Sequence, residues 1–72
     1  MADKRGLSTP DEILNAALAK ERQSLQFYAG LAEQCRIDMV KELIEKLKDE
    51  ENKHVKVVEE MIANLRLGHS LV

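Results

Sequence analysis

"KDEENKHVKVVEE", Lys48 to Glu60, holds the reading that decides the fold. Extended in both directions, its apolar stripe runs Val40, Ile44, Leu47, Glu51, His54, Val58, Met61 and Leu65. The steps alternate four and three, which is the a/d seam of a helix packed on other helices. Glu51 and His54 interrupt that seam with a carboxylate and one of the chain's two histidines. Burying an unpaired carboxylate is costly, so these two residues call for a compensating partner.

Working outward, Asp38 is the expected N-cap of this helix and Gly68 its stop signal. Before it, "STPDE" writes another helix start, with Thr9 as N-cap, Pro10 at the first helical position and Glu12 as partner in a capping box. Small and apolar residues then recur at Leu14, Ala17, Leu18, Leu25, Tyr28, Leu31, Ala32 and Cys35. Gly30 weakens this helix by ~1 kcal/mol relative to alanine without breaking it. The spacing predicts helices over about 10–35 and 39–67, joined by a few residues near "CRID" and folded back as an antiparallel hairpin. Each helix of a hairpin still exposes part of its stripe. Two identical hairpins are therefore expected to pack, by two-fold symmetry, into an all-α four-helix bundle.

The composition agrees. Seventy-two residues make one domain, 1–72, too small to be comfortably stable without a staple or a partner subunit. The single cysteine, Cys35, excludes an internal disulfide, and one cysteine with two histidines cannot build a Cys-rich zinc cluster. A metal, an oligomer or both remain. A net charge of −2 with interspersed signs gives no basic stripe, so no nucleic-acid partner is expected. No apolar run approaches the length of a membrane span and "MADKRGLSTPDE" lacks an apolar signal core, so the expected location is cytoplasmic.

The first helix has its own anomaly. Steps of seven from Leu14 reach Glu21, Tyr28 and Cys35, which puts Glu21 on the inward face. With Ile37 as the turn, Glu21 lies sixteen residues before it, and Glu51 and His54 lie fourteen and seventeen after it. All three sit at about the same height, roughly 20 to 25 Å from the turn. Two chains would thus supply four glutamates and two histidines, the set by which helical bundles hold two iron or manganese ions. Glu51 and His54, three residues apart, share one helix face. The mixed oxygen and nitrogen set suits divalent iron, with manganese or zinc as alternatives. Four carboxylates also balance the charge of two ferrous ions.

"ERQSLQFY" and "EENKH" resemble the two half-motifs of the rubrerythrin and ferritin-like superfamily, a Glu seven residues before an aromatic and a later Glu-x-x-His. The resemblance covers about Leu14 to Leu65, and the short two-helix form is similar to the encapsulated-ferritin type. It implies a ferritin-like bundle with metal ligation and catalysis by Glu21, Glu51 and His54. Tyr28 would be a neighbouring aromatic bonded to a ligand carboxylate. It further implies two irons per subunit pair, a homodimer or larger even homo-oligomer, and ferroxidase or peroxide-reductase activity. No Cys-x-x-Cys pair is present for an electron-transfer iron, and Lys20 and Gln23 do not supply the acids of an accessory entry site. The end "LGHSLV" is similar to the tags that dock cargo in bacterial nanocompartments, which would add an encapsulating shell protein as partner.

The remaining residues read more plainly. Glu50 competes with Glu51 as ligand but aligns with Leu43 and Val57 on a flank. Cys35 reads as a buried thiol near the turn, His69 as solvated tail, and Met39 and Met61 as core filler. Two other functions fit the same seam: a metal-free helical dimerisation or adaptor protein whose polar residues fix register, and a zinc- or manganese-binding bundle without redox chemistry.

Overall fold

The computed structural model describes residues 9–68 and consists of two antiparallel helices, α1 (Pro10–Gln34) and α2 (Asp38–Arg66). The expectations placed on His69 and the rest of the tail lie outside the described residues. At the start of α1 the Thr9 hydroxyl accepts the Glu12 backbone N–H at 3.1 Å and donates to the Glu12 carboxylate at 2.8 Å. The return contact of the capping box thus runs to the hydroxyl, with Pro10 at the first turn as expected.

The second start differs from the expectation. Ile37 is the N-cap of α2 and no side chain caps it; Asp38 is already helical, where its charge still suits the positive end of the helix dipole. The α2 helix ends at Arg66. Gly68 has φ 77° and its N–H reaches the Leu65 carbonyl at 3.1 Å, a left-handed turn that glycine adopts without a Cβ penalty.

Between the helices the core is thin. Leu18, Val55 and Ile62 form its buried cluster, with Leu14, Leu25 and Val58 packed against it, and Ala32 is buried nearer the turn. The inward seam of α2 is therefore centred on Val55 and Ile62, neither of which the sequence stripe contained. Val40, Leu47, His54 and Met61 of that stripe are exposed instead, as is Ala17 on α1. The methionines are not core filler: Met39 is 80% exposed and Met61 37%. Cys35 is half-buried, its Sγ 3.5 Å from the Ile37 carbonyl oxygen.

The two long sides of the hairpin differ in chemistry. At 100° per residue, Ile13, Lys20 and Phe27 lie roughly 135° around α1 from its inward seam, and Leu43, Leu47, His54, Val57 and Met61 about 90° around α2 from its own. Because the helices are antiparallel, the same sense of rotation on each brings both stripes to one side. Ile13, Phe27, Leu43, Leu47, Val57 and Met61 are all exposed there. The opposite side is closed by ion pairs between Arg22 and Glu59 at 2.8 Å and between Arg66 and Asp11 at 3.4 Å. Such exposed pairs are worth ~0–1 kcal/mol each and orient the helices more than they stabilise them. No helix among the described residues is long and apolar enough to cross a membrane.

Gly30 is within α1, and a Cβ built on it meets nothing within 4 Å. Gly30→Ala is expected to raise the unfolding free energy by about 0.5–1 kcal/mol, through lower backbone entropy in the unfolded chain. Urea denaturation followed by circular dichroism measures it; a loss of stability would contradict an open site at this position.

Candidate metal centre

The level argument from the turn is realised in space. Glu21 arrives from the middle of α1, Glu51 and His54 from facing turns of α2, and one donor atom of each lies within 4.8 Å of the others. His54 Nδ1 is 3.2 Å from Glu21 Oε2 and 3.6 Å from Glu51 Oε1. The imidazole therefore stands between the two carboxylates. Solvent access is graded across the group: the Glu51 side chain is 20% exposed, Glu21 29% and His54 56%.

Helical phase explains that gradient. Glu51 is four residues before Val55, on the inward seam of α2, and Glu21 is three after Leu18 on that of α1. His54 is turned by most of a quadrant toward the apolar side of the hairpin. It is thus the edge of the group and Glu51 is its floor.

Glu51 is the anomalous member. Its Oε2 is out of solvent and has no hydrogen-bond partner. A buried acceptor left in this condition carries the full cost of desolvation, unless a proton or a cation meets it. The Glu51 carboxyl is held above its ordinary value of 4.5, first because it can share a proton with Glu21. Desolvation and the negative charge of Glu21 push the same way, His54 opposes, and Glu50 adds repulsion. Glu50 itself is exposed on the flank, as its alignment with Leu43 and Val57 indicated, and reaches Glu51 only through its charge.

Tyr28 lies two turns along α1 from Glu21 on the same inward side and is half-buried. Its ring stands edge-on to Phe27, with centroids 5.5 Å apart and planes at 65°. Among the hydrogen bonds of the described residues none joins its hydroxyl to the two carboxylates or the imidazole. The donor set fits a hard or borderline divalent cation: two carboxylates and an imidazole with no thiolate, Cys35 being at the far, turn end of α1.

The raised Glu51 value fixes a pH dependence in the metal-free protein. The native state holds this proton more tightly than the unfolded chain, so the stabilisation is complete below 4.5 and is lost as pH rises through the raised native value. In the presence of chelator, wild type is expected to lose stability relative to Glu51→Gln as pH climbs above 4.5. Urea midpoints of the two proteins measured across that range check the difference; parallel curves would contradict it.

A search of the curated proteins found no match to the chain, and a search of the solved structures found none either. The family model for rubrerythrin matches residues 12–72, a span that contains both helices except the first two residues of α1 together with all three members of the carboxylate and imidazole group. By its sequence over most of its length, the chain belongs to the rubrerythrin family, a ferritin-like family of di-iron proteins.

Proposed function

We propose that the protein is a di-iron carboxylate protein whose centre is shared by two copies of the chain, and that it oxidises Fe(II) with dioxygen or peroxide. The observation that carries this reading is Glu51 Oε2, a desolvated carboxylate oxygen without a partner, set against Glu21 and the His54 imidazole. One chain offers three donor side chains. That is too few for two ions, and a two-fold copy doubles the set to four glutamates and two histidines.

The direction of the apolar sector supports the second copy. The sequence stripe of α2 points between its two observed faces, part toward α1 and part toward the exposed side. In a four-helix bundle the bisector of a helix's two neighbours is the bundle axis. His54 leans the same way, so its exposure in a single hairpin becomes burial in a pair.

Within this reading each residue has a physical task. Glu51, the least exposed donor, would hold a cation from α2, and Glu21 would hold it from α1. His54 offers Nδ1, which the carboxylates already orient, and must be neutral to bind. A cation would compete with protons for these donors, and the raised Glu51 carboxyl strengthens that competition, so binding should tighten as pH rises. Tyr28 is assigned to bond a ligand carboxylate once the second copy encloses the site. Iron held there would supply the electrons that reduce the oxidant. The apolar flank formed by Leu47 and Val57 limits water around that chemistry.

Metal binding to the native state alone should raise the melting temperature. Fe(II) added without oxygen is expected to stabilise wild type, and admitting oxygen should give rapid uptake. Glu51→Ala is expected to weaken metal binding by at least about a hundredfold and to abolish the uptake while helical content persists. Stabilisation without oxygen uptake would contradict the redox assignment in favour of a zinc or manganese bundle. If neither response occurs in wild type, the metal centre itself is contradicted and the adaptor reading stands.

A further inference from the structure

The exposed apolar side of the hairpin has an order that constrains what covers it. Along α2 its residues are Leu43, Leu47, Glu50, His54, Val57 and Met61, all exposed, and along α1 Ile13, Ala17, Lys20, Ser24, Phe27 and Leu31, of which Ser24 and Leu31 are half-buried. Each series is a palindrome in character: apolar residues at both ends and two polar residues in the middle. The centre falls at Asn52 on α2 and at Arg22 on α1.

We propose that a second copy of this chain covers this side in a single antiparallel register, with a two-fold axis passing level with Arg22 and Asn52. Glu50 fixes that register by meeting the partner's His54. The inference deepens the shared-centre reading and rests on it.

Antiparallel helices pair an a position of one with a d position of the other. About Asn52 this sets Leu43 against the partner's Met61, Leu47 against the partner's Val57, and Glu50 against the partner's His54. On α1, centred at Arg22, it sets Ile13 against the partner's Leu31, Ala17 against the partner's Phe27, and Lys20 against the partner's Ser24. Sliding α2 by one heptad in either direction fails. One slide sets Leu47 against the partner's Glu50 and Leu43 against the partner's His54. The other sets His54 against the partner's Val57 and Glu50 against the partner's Met61. Both leave desolvated polar groups facing apolar ones, which a contact between identical surfaces then repeats twice.

Of the metal group only His54 entered that choice, and the level of Glu21 coincides with it independently. Glu21 and His54, next to the two palindrome centres, touch at 3.2 Å within one hairpin. One axis thus serves both helix pairs and places the two sets of donors side by side. Glu50 acquires a role that its exposure alone does not explain. His54 Nδ1 is engaged by Glu21 and Glu51, the side chain is 56% exposed, and among the hydrogen bonds of the described residues none involves the other ring nitrogen. A carboxylate accepting its N–H would hold the ring and select the tautomer that leaves Nδ1 free to bind a cation. Glu50 is therefore a positioning residue, outside the donor set.

Disulfide trapping in a Cys35→Ser background tests the register. Leu47→Cys with Val57→Cys in the same chain is expected to give covalent dimers on oxidation with glutathione disulfide, whereas Leu43→Cys with Val57→Cys is not. Sedimentation equilibrium of the metal-free protein then tests Glu50. Glu50→Ala removes two symmetry-related hydrogen bonds and should weaken the dimer by about fivefold, and Glu50→Gln, which still accepts the N–H, should recover most of it. Trapping through the second cysteine pair alone, or an unchanged dimer in Glu50→Ala, would overturn the register while the shared centre stands. A wild-type chain that stays monomeric when loaded with iron would overturn both.

Discussion

The placement of two carboxylates inside a helical seam is the constraint on which the rest of the structure depends. A glutamate on the inward face of each helix is a liability in a hairpin this thin, whose buried cluster is three aliphatic side chains. Among the described residues, no lysine or arginine across the seam pairs with either acid. The basic residues that cross between helices, Arg22 and Arg66, are on the other side and are engaged by Glu59 and Asp11. His54 is the local compensation, and it leaves Glu51 Oε2 unmet. Such an arrangement is unfavourable for a purely structural protein and favourable for one that takes up cations.

The two sides of the hairpin divide the remaining work. One is polar, tied by exposed ion pairs and suited to water. The other carries large apolar residues on both helices, among them Phe27 at 61% exposure and Val57 at 59%. A chain that buries so little by itself gains most of its stability from whatever covers that side. In the proposed pairing a second copy would enclose His54 and bring a second donor set beside the first, so assembly and metal loading would be coupled equilibria.

Much of this was legible in the sequence because it follows from local rules. The cap at Thr9, the proline after it, the stop at Gly68 and the seven-residue steps to Glu21 act over one or two turns, and the level argument needs only helix rise and a short connection. The phase of α2 was less legible. Its apolar sector is wide enough to serve two neighbours, so a single stripe drawn through it lies between them. That is why Val55 and Ile62, which face α1, were passed over, while Met61 and Leu47 were placed inward. The N-cap of α2 misread for a related reason: Asp38 has the right side chain, but the backbone enters the helix one residue earlier, at Ile37. The closeness of Glu21, Glu51 and His54 was still legible despite the phase error, because Glu51 and His54 straddle the same bisector. Unlike these, the upward push on the Glu51 carboxyl comes from an approach to Glu21 across two helices, and no spacing rule reports it.

The central claim is that two chains together hold two metal ions between them. Native mass spectrometry of protein loaded anaerobically with Fe(II) reads assembly and stoichiometry in one spectrum. The account predicts dimers or larger even assemblies that carry about two irons per pair of chains. A species without metal, or a monomer holding its own complete complement of iron, would contradict it.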